Sequence, residues 1–280
     1  MNNPAFGFVQ QLGRELAAGE FELPPFPDTA MRVQECINDP NSDIQQLGAV
    51  VASEPALAAR LIRMANSAMM RRGPIEVADI GTAISRVGMD MVQNAAVSFA
   101  AREAFKAPPG SPCLSDLNSL RRHSVKVASL GYILAKESRY LGKPDIAMLT
   151  GLLHAVGKYY IFMKASEHPD LFTDRPSLEQ LVAQWHTGVA RAIVESWQFP
   201  ADIAIAVDEQ ELKERDRLGA AELSDILYIA NLIARIGNSV AKEIGDLDAM
   251  ARLRLDGETL YNTLEENQDE IRSMVEALSG

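Results

Sequence analysis

Four histidines are the side chains in this sequence with the clearest capacity for chemistry. They are His123, His154, His168 and His186. His154 lies in the apolar stretch 148–163, where leucine, valine, tyrosine and methionine recur at steps of three and four. This spacing predicts a helix buried on most sides. An unpaired buried polar group costs about 1–3 kcal/mol, so the ring nitrogens of His154 must meet another side chain or a metal ion.

The other reactive residue types give no support for nucleophilic catalysis. Cys36 and Cys113 share no short motif and have no neighbouring histidine, which predicts two reduced thiols. The sequence contains no Gly-x-Ser-x-Gly elbow and no glycine-rich phosphate loop. Trp185 and Trp197 are predicted to be core anchors rather than a platform for a ligand. His168 stands in a polar connection, where we expect it to be exposed.

The overall charge excludes some classes of partner. The chain has 280 residues with 38 acidic and 27 basic side chains, a net charge of −11. Nonspecific binding of duplex DNA or of an anionic membrane needs a basic surface, so neither is expected, although a local basic patch is compatible with this total. No signal peptide is evident, and no run approaches the roughly 20 apolar residues that span a bilayer. These features predict a cytoplasmic protein.

The elements that must position the histidines are all predicted to be helices, because no period-two alternation persists anywhere. In the first half, Ser42 and Gln45 have the spacing of a capping box, and Pro55 suits the first turn of the next helix. Arg60 and Arg63 fall outside the apolar stripe of that helix, and two later helices are separated at Gly88. The sequence therefore predicts an all-α protein.

The organisational joint is predicted at residues 106–115, which hold three prolines and one glycine. We expect an N-terminal helix over 6–19 and a proline-rich lead-in to residue 25, followed by two closely packed helical lobes. The remaining predicted boundaries are 1–25 for the first segment, 26–105 and 116–240 for the lobes, and 241–280 for C-terminal amphipathic helices. The acidic face of the last segment predicts that it docks on its own domain or on a partner.

Four blocks of the sequence resemble the HDOD domain, a regulatory relative of the HD superfamily found in bacterial signalling proteins. They are FPDTAMRVQECINDPNSDIQQLGAVVASEPALAARLIRMANSA (26–68), RRHS (121–124), LLHAVGK (152–158) and WHTGVARAIVESWQFP (185–200). The first block is specific to HDOD rather than to HD enzymes in general. The resemblance implies a multi-helix bundle of the HD-domain type.

HD enzymes are metal-dependent phosphohydrolases, and the resemblance implies where their ligands would stand. The family uses a first His, an adjacent His–Asp pair and a later Asp; the matching positions are His123, His154, Ala155 and Asn231. Both carboxylates are replaced, although phosphoryl transfer needs an oxygen-liking metal centre. We therefore expect no metal and no cofactor. If a metal is held, the candidate ligands are His123, His154 and His186; otherwise the histidines are expected to bond each other, Ser124 or backbone groups.

The resemblance also implies four further pocket candidates. Lys158 would lie near the substrate phosphate in a family enzyme, although a solvated lysine at a helix end is the expectation here. His186 matches a histidine common in HDOD domains. Asp208 and Glu209, with Gln210, replace histidines that many relatives carry after a turn like the WQFP turn.

These observations predict a non-catalytic bacterial signalling or regulatory protein that acts through binding. The expected partner is a protein of a signalling pathway, with a nucleotide-type small ligand as a further option; no nucleic acid and no membrane is expected, and the oligomeric state is open. The alternative is an HD-type metal-dependent phosphohydrolase with an atypical or depleted metal site. A third hypothesis, a transcription regulator that reads DNA through residues 42–90, conflicts with the acidic composition.

Overall fold

The computed structural model describes residues 23–67, 76–138, 143–213 and 219–279, together with Arg14 and Met70. Within these ranges every regular element is helical and no strand occurs, so the all-α prediction is confirmed. The helix predicted over residues 6–19 lies, apart from Arg14, outside the described residues.

The described part of the chain forms a succession of mostly short α-helices. In the first half they are α1 (Asp28–Asn38), α2 (Ile44–Ala52), α3 (Pro55–Ala65), α4 (Ile80–Val87), α5 (Met89–Ala104), α6 (Leu114–Glu137) and α7 (Pro144–Leu153). In the second half they are α8 (Val156–Ala165), α9 (Arg175–Ser196), α10 (Ala201–Asp208), α11 (Leu223–Ile236), α12 (Asp248–Leu253), α13 (Gly257–Glu266) and α14 (Gln268–Ser279). Short 3-10 helices cover Pro169–Phe172 and Asn238–Lys242.

Local start and stop signals account for many of these boundaries. The capping box of α2 lies one residue later than predicted: the Asp43 carboxylate accepts from the Gln46 amide at 2.8 Å, and the Gln46 side chain accepts from the Asp43 amide at 2.9 Å. Asp43 and Ser42 both have a glutamine three residues later, and the carboxylate residue is the one that caps. Gly88, with a φ of 87°, separates α4 from α5.

The apolar side chains form two core clusters. One is built mainly by α1–α5, and Met274 and Leu278 of α14 join it, so the C-terminal helix docks on its own chain. The other gathers side chains from α6–α13. Helix α6 serves both clusters: Ala128 and Ile133 belong to the first, and Leu130 belongs to the second.

Helices α6 and α7 approach each other so closely that their backbones meet. A Cβ atom on Gly151 would lie 2.5 Å from the Cα of Ala128, and one on Gly131 would lie 3.2 Å from the carbonyl oxygen of Ala147. Only hydrogen fits at Gly151, which allows this crossing. The contact holds the end of α7, where His154 stands, beside α6, which carries His123.

The apolar stretch 148–163 is not one uninterrupted helix as predicted. Helix α7 ends at Leu153 and α8 begins at Val156, with Ala155 at φ −96° and ψ 4° between them. The carbonyl oxygen of His154 accepts a hydrogen bond from Nε2 of Gln210 at 2.9 Å. A side chain from a distant segment thus satisfies a backbone group at the break, and local periodicity cannot reveal this.

The proline-rich lead-in packs along the second core cluster. Nε1 of Trp197 donates to the carbonyl oxygen of Pro24 at 2.8 Å. The ring of Phe26 lies 5.1 Å from Trp197 and 5.6 Å from Phe199, centroid to centroid. These contacts bury apolar rings and satisfy the indole N–H at the same time.

One described segment has the length and composition of a membrane-spanning helix. Pro144–Ala165, which comprises α7 and α8, has a mean hydropathy of 1.3 over its most apolar window, and 83% of that window is buried inside the fold. The prediction that no run approaches this length was therefore too strict. The segment is the buried centre of the bundle, as its position between α6 and α9 requires.

Candidate functional site

His123 and Asn231 form the first pair of the candidate site. Helix α6 presents His123 and helix α11 presents Asn231, and Nε2 of the ring donates to the amide Oδ1 at 2.8 Å. Burial lowers the pKa of His123, and the bond to Asn231 opposes part of this shift. The ring is therefore neutral at pH 7 and satisfied by an uncharged acceptor.

His154 lies at the break between α7 and α8, completely buried. Its Nδ1 donates to the carbonyl oxygen of Gly151 at 2.7 Å, while Nε2 has no hydrogen-bond partner. Its ring centroid is 5.4 Å from that of His123, with the planes 60° apart. Burial, followed by repulsion from His123, holds the pKa of His154 well below its usual value. The ring thus presents a lone pair at Nε2 toward the interior.

A third group of side chains converges on the carboxylate of Glu211. Oε1 of Glu211 lies 3.5 Å from Nε2 of His186 and 3.6 Å from Nζ of Lys158, and Oε2 lies 3.6 Å from Nη1 of Arg235. The contact with His186, followed by the charge of Lys158, lowers the pKa of Glu211 to about 2. Burial lowers the pKa of both His186 and Lys158.

The structure brings together some of the predicted site residues and separates others. His123, His154 and Asn231 are adjacent, and the positive charge of Lys158 contributes to lowering the pKa of His154, after burial and His123. Asp208 instead accepts from Arg191 at 3.0 Å, and Glu209 accepts from the Ser224 hydroxyl at 3.2 Å. Ala155 is a fully buried core residue.

Lys158 and His168 differ in how they compare with their predicted environments. Lys158 is not a solvated lysine at the end of a helix, because it lies in the first turn of α8 with 22% of its side chain exposed, facing Glu211. His168 is exposed, as expected.

Sequence reasoning missed Glu211 and Arg235, and it gave Gln210 no role of its own. Arg235 follows Asn231 by one helical turn, so a shared face of α11 could have been inferred. Gln210 and Glu211 follow the end of α10 in a turn. No periodic pattern indicates where such side chains point, so only the tertiary structure places them.

Comparison with known proteins identifies the family. The sequence profile of the HDOD domain matches residues 23–212. The chain belongs to the HDOD domain family. No curated protein matched the chain significantly.

Solved structures share the fold of this HDOD protein over nearly its whole length. A Shewanella amazonensis SB2B protein, provisionally named a metal-dependent phosphohydrolase, is 25% identical with a TM-score of 0.73, covering 92% of this chain and 98% of its own. A Geobacter sulfurreducens HDOD domain protein of unknown function is 23% identical with a TM-score of 0.72, covering 96% and 97%. A Marinobacter aquaeolei VT8 protein, provisionally named for signal transduction, is 23% identical with a TM-score of 0.65, covering 99% of this chain and 67% of its own.

The residues of this HDOD domain do not fit the metal-ligand set of HD enzymes. Among the described residues, no group of three His, Cys, Asp or Glu side chains could hold a metal ion. The two positions that would supply carboxylates hold Ala155, which has no donor, and Asn231, whose amide oxygen is engaged by His123. His186 contacts Glu211, a carboxylate already shared with Lys158 and Arg235. These residues therefore supply too few donor atoms and too little negative charge for the metal centre of an HD enzyme.

Proposed function

We propose that this HDOD domain is a non-catalytic regulatory protein of the bacterial cytoplasm that acts by binding a protein partner or a small ligand. Membership of the HDOD family fits a regulatory role. The observation that carries the proposal is the bond between His123 and Asn231. The neutral amide of Asn231 accepts a hydrogen bond from Nε2 of His123 at 2.8 Å, so this ring nitrogen is not free to bind a metal ion. The amide also brings no negative charge that could balance a divalent cation.

The charges around the histidines also oppose a cation. Lys158 and Arg235 both face the single carboxylate of Glu211, and each contributes to lowering the pKa of His123 by its positive charge. A divalent ion at the histidines would meet this repulsion in a partly desolvated site. The same contacts with Glu211 form a polar cluster that is well suited to stabilising one conformation of the helical bundle.

A cavity of about 320 Å³ offers a place for a small ligand. It lies between α7, α10 and α11, and its walls combine apolar residues such as Ile146 and Ile205 with the charged residues Lys143 and Asp202. This size is at the lower end of the range for ligand pockets, which is roughly 300–1,000 Å³. It supports binding as the mode of action without requiring chemistry.

The second candidate function is a metal-dependent phosphohydrolase with a depleted site. Two observations favour it: Nε2 of His154 is buried without a partner, and the Shewanella amazonensis protein that is 25% identical carries such a name. This imidazole nitrogen could serve as one metal ligand, and a metal site would need further ligands beside it.

Metal content and turnover distinguish the two functions. After dialysis without chelator, elemental analysis of the purified chain is expected to show iron, manganese and zinc well below one equivalent. With added manganese, hydrolysis of bis(p-nitrophenyl) phosphate is expected to equal the rate with the His154→Gln variant. A full equivalent of metal, together with turnover that His154→Gln abolishes, would establish the phosphohydrolase instead.

A further inference from the structure

A small cavity lined by arginines lies where the two core clusters meet the C-terminal helix. Its volume is about 80 Å³, and it is lined by Arg60 of α3, Arg102 of α5, and Arg121 and Arg122 of α6. Leu278 and Ser279, at the end of α14, form another wall. The cavity is separate from the Glu211 cluster, with which it shares no lining residue.

The described residues neutralise little of the positive charge of this cavity. None of the described residues that line it is acidic. Nε of Arg102 lies 4.0 Å from Glu103, which also contacts Lys106 at 3.3 Å. Four arginines around one cavity are an unusual concentration in a chain with a net charge of −11, and their positive charge attracts anions.

Arg60 is the most unexpected member of this group. The sequence predicted that it lies outside the apolar stripe of α3, yet only 3% of it is exposed. Its Nη2 donates to the hydroxyl of Ser98 at 3.0 Å and its Nε to the carbonyl oxygen of Ala277 at 3.3 Å, so its described partners are neutral. Burial, followed by repulsion from Arg102, lowers its pKa to about 10. A buried charge without a counter-charge is costly.

Arg121 is also incompletely satisfied. Its Nη2 donates to the carbonyl oxygens of Arg102 and Phe105, at 3.2 and 2.9 Å, but its buried Nε has no hydrogen-bond partner. The hydroxyls of Ser124 and Tyr159, 3.3 Å apart, line the same cavity. Hydrogen bonds to backbone carbonyl oxygens explain the positions of Arg60 and Arg121, but they do not explain why Arg102 and Arg122 also line this cavity.

We propose that the arginine cavity binds a phosphoryl oxyanion, either as free phosphate or as the phosphate group of a small ester such as a nucleotide. Guanidinium groups match the oxygens of phosphate with paired hydrogen bonds, and hydroxyls can donate to the same oxygens. The volume is several times the roughly 10–15 Å³ needed to hold one water, which suits a single tetrahedral group.

The ligand would link the cavity to the C-terminal helix. Arg60 contacts Ala277, and Ser98 Oγ lies 3.4 Å from the carbonyl oxygen of Leu278, so α14 shares its anchoring groups with the bound anion. Occupation of the cavity is therefore expected to change the amide-exchange rates of the last turn of α14.

The test uses the whole chain with inorganic phosphate and, separately, adenosine monophosphate, measured by calorimetry at constant ionic strength. Arg102→Gln removes a lining charge from a partly exposed position and Arg122→Gln removes one from an exposed position, while Arg60 is left intact because its bonds help to hold α14. Arg63→Gln is the matched control: it removes the same charge from an exposed position of α3 that does not line the cavity. Circular dichroism confirms that each variant is folded.

We expect saturable phosphate binding that weakens at least about ten-fold in Arg102→Gln and Arg122→Gln, and less than about two-fold in Arg63→Gln. Binding of adenosine monophosphate alone, with the same dependence on the two arginines, would also support the proposal and identify an ester as the ligand. The proposal fails if neither probe binds better than chloride or acetate, or if Arg63→Gln weakens binding as much as the cavity variants. Because no metal is involved, failure here leaves the proposed regulatory function standing.

Discussion

At the scale of single residues, Asn231 decides the character of the histidine site. An aspartate at this position would present a charge to His123, whereas the amide presents only a dipole at 2.8 Å. Nε2 of His154, a few ångströms away, is left without a partner. A cluster of neutral rings packed this way is stable only while it stays neutral.

Restoring the two lost carboxylates should convert the cluster into a metal site. In Ala155→Asp with Asn231→Asp, the new carboxylates are buried, so in chelator we expect a lower melting temperature than in the parent. Manganese or zinc should recover stability, by about 2.7 kcal/mol at a hundred times the dissociation constant. Asn231→Asp alone is the control and should respond more weakly. A folded double variant whose melting temperature is unchanged by manganese or zinc would contradict the placement of the site.

The buried histidines also predict how stability depends on pH. Burial lowers the pKa of His154 in the folded state, so the unfolded chain takes up its proton first as the pH falls below about 6.5. Stability is therefore full above this value and is lost toward lower pH. Between pH 7 and 5, the slope of the free energy of unfolding against pH should be smaller for His154→Gln than for the parent, by up to about 1.4 kcal/mol per pH unit. Chemical denaturation at each pH measures it, and an unchanged slope would count against the neutral ring. The pKa of Glu211 is also lowered in the folded state, so the stability that Glu211 contributes is complete above pH 4.5 and is lost only below that value.

At the scale of elements, the site depends on helices that touch without side chains between them. Helix α8 crosses α9 at Gly157, where a Cβ atom would lie 2.0 Å from the carbonyl oxygen of His186. Helix α7 crosses α6 at Gly151 in the same manner. These two crossings bring His154 within reach of α6 and fix Lys158 opposite α9.

A single methyl group at the α8–α9 crossing should therefore be poorly tolerated. Gly157→Ala must displace backbone atoms of α9, and we expect a loss of about 1–3 kcal/mol or more in the free energy of unfolding. Gly188, on the same helix α9, has open space around it. Gly188→Ala should be neutral or should stabilise by up to about 1 kcal/mol. Urea titration of both variants tests this; equal effects would show that the crossing is not closely packed.

At the scale of the whole molecule, the two core clusters share helices rather than a flexible linker. Helix α6 contributes to both, and α14 returns from the second cluster to pack against α3 and α6. The connection between α5 and α6 is short, and residues such as Phe105 and Cys113 within it are buried. The two lobes are thus expected to be stable only together.

Cooperative unfolding follows from this sharing. Both tryptophans, Trp185 and Trp197, lie in the second lobe, although Trp197 also contacts Phe26 of the first, so their fluorescence reports chiefly on the second lobe. Leu57→Ala removes a fully buried side chain from the first lobe and should cost about 2–5 kcal/mol. If the lobes unfold together, tryptophan fluorescence and circular dichroism should shift to the same lower midpoint. A fluorescence transition that stays in place while circular dichroism splits into two steps would exclude a single cooperative unit.

The sequence by itself determined the all-α class, most helix boundaries and the HDOD family, because these depend on local periodicity, capping residues and contiguous motifs. The resemblance to HD enzymes also predicted that Ala155 and Asn231 stand where those enzymes have carboxylates, a comparison of residue types that needs no structure. The sequence placed the capping box of α2 one residue early, because two overlapping pairs satisfied the same spacing.

Only the tertiary structure decided which side chains meet. His123 and Asn231 are 108 positions apart, and the contacts of Glu211 come from α8, α9 and α11. Arg60 was assigned to a polar face from its position on α3, yet α14 and α5 cover it. Periodicity reports the face of an element, whereas contacts between distant segments depend on how those faces pack. The interruption at His154 has the same origin, because Gln210, a residue beyond α10, bonds the carbonyl at the break.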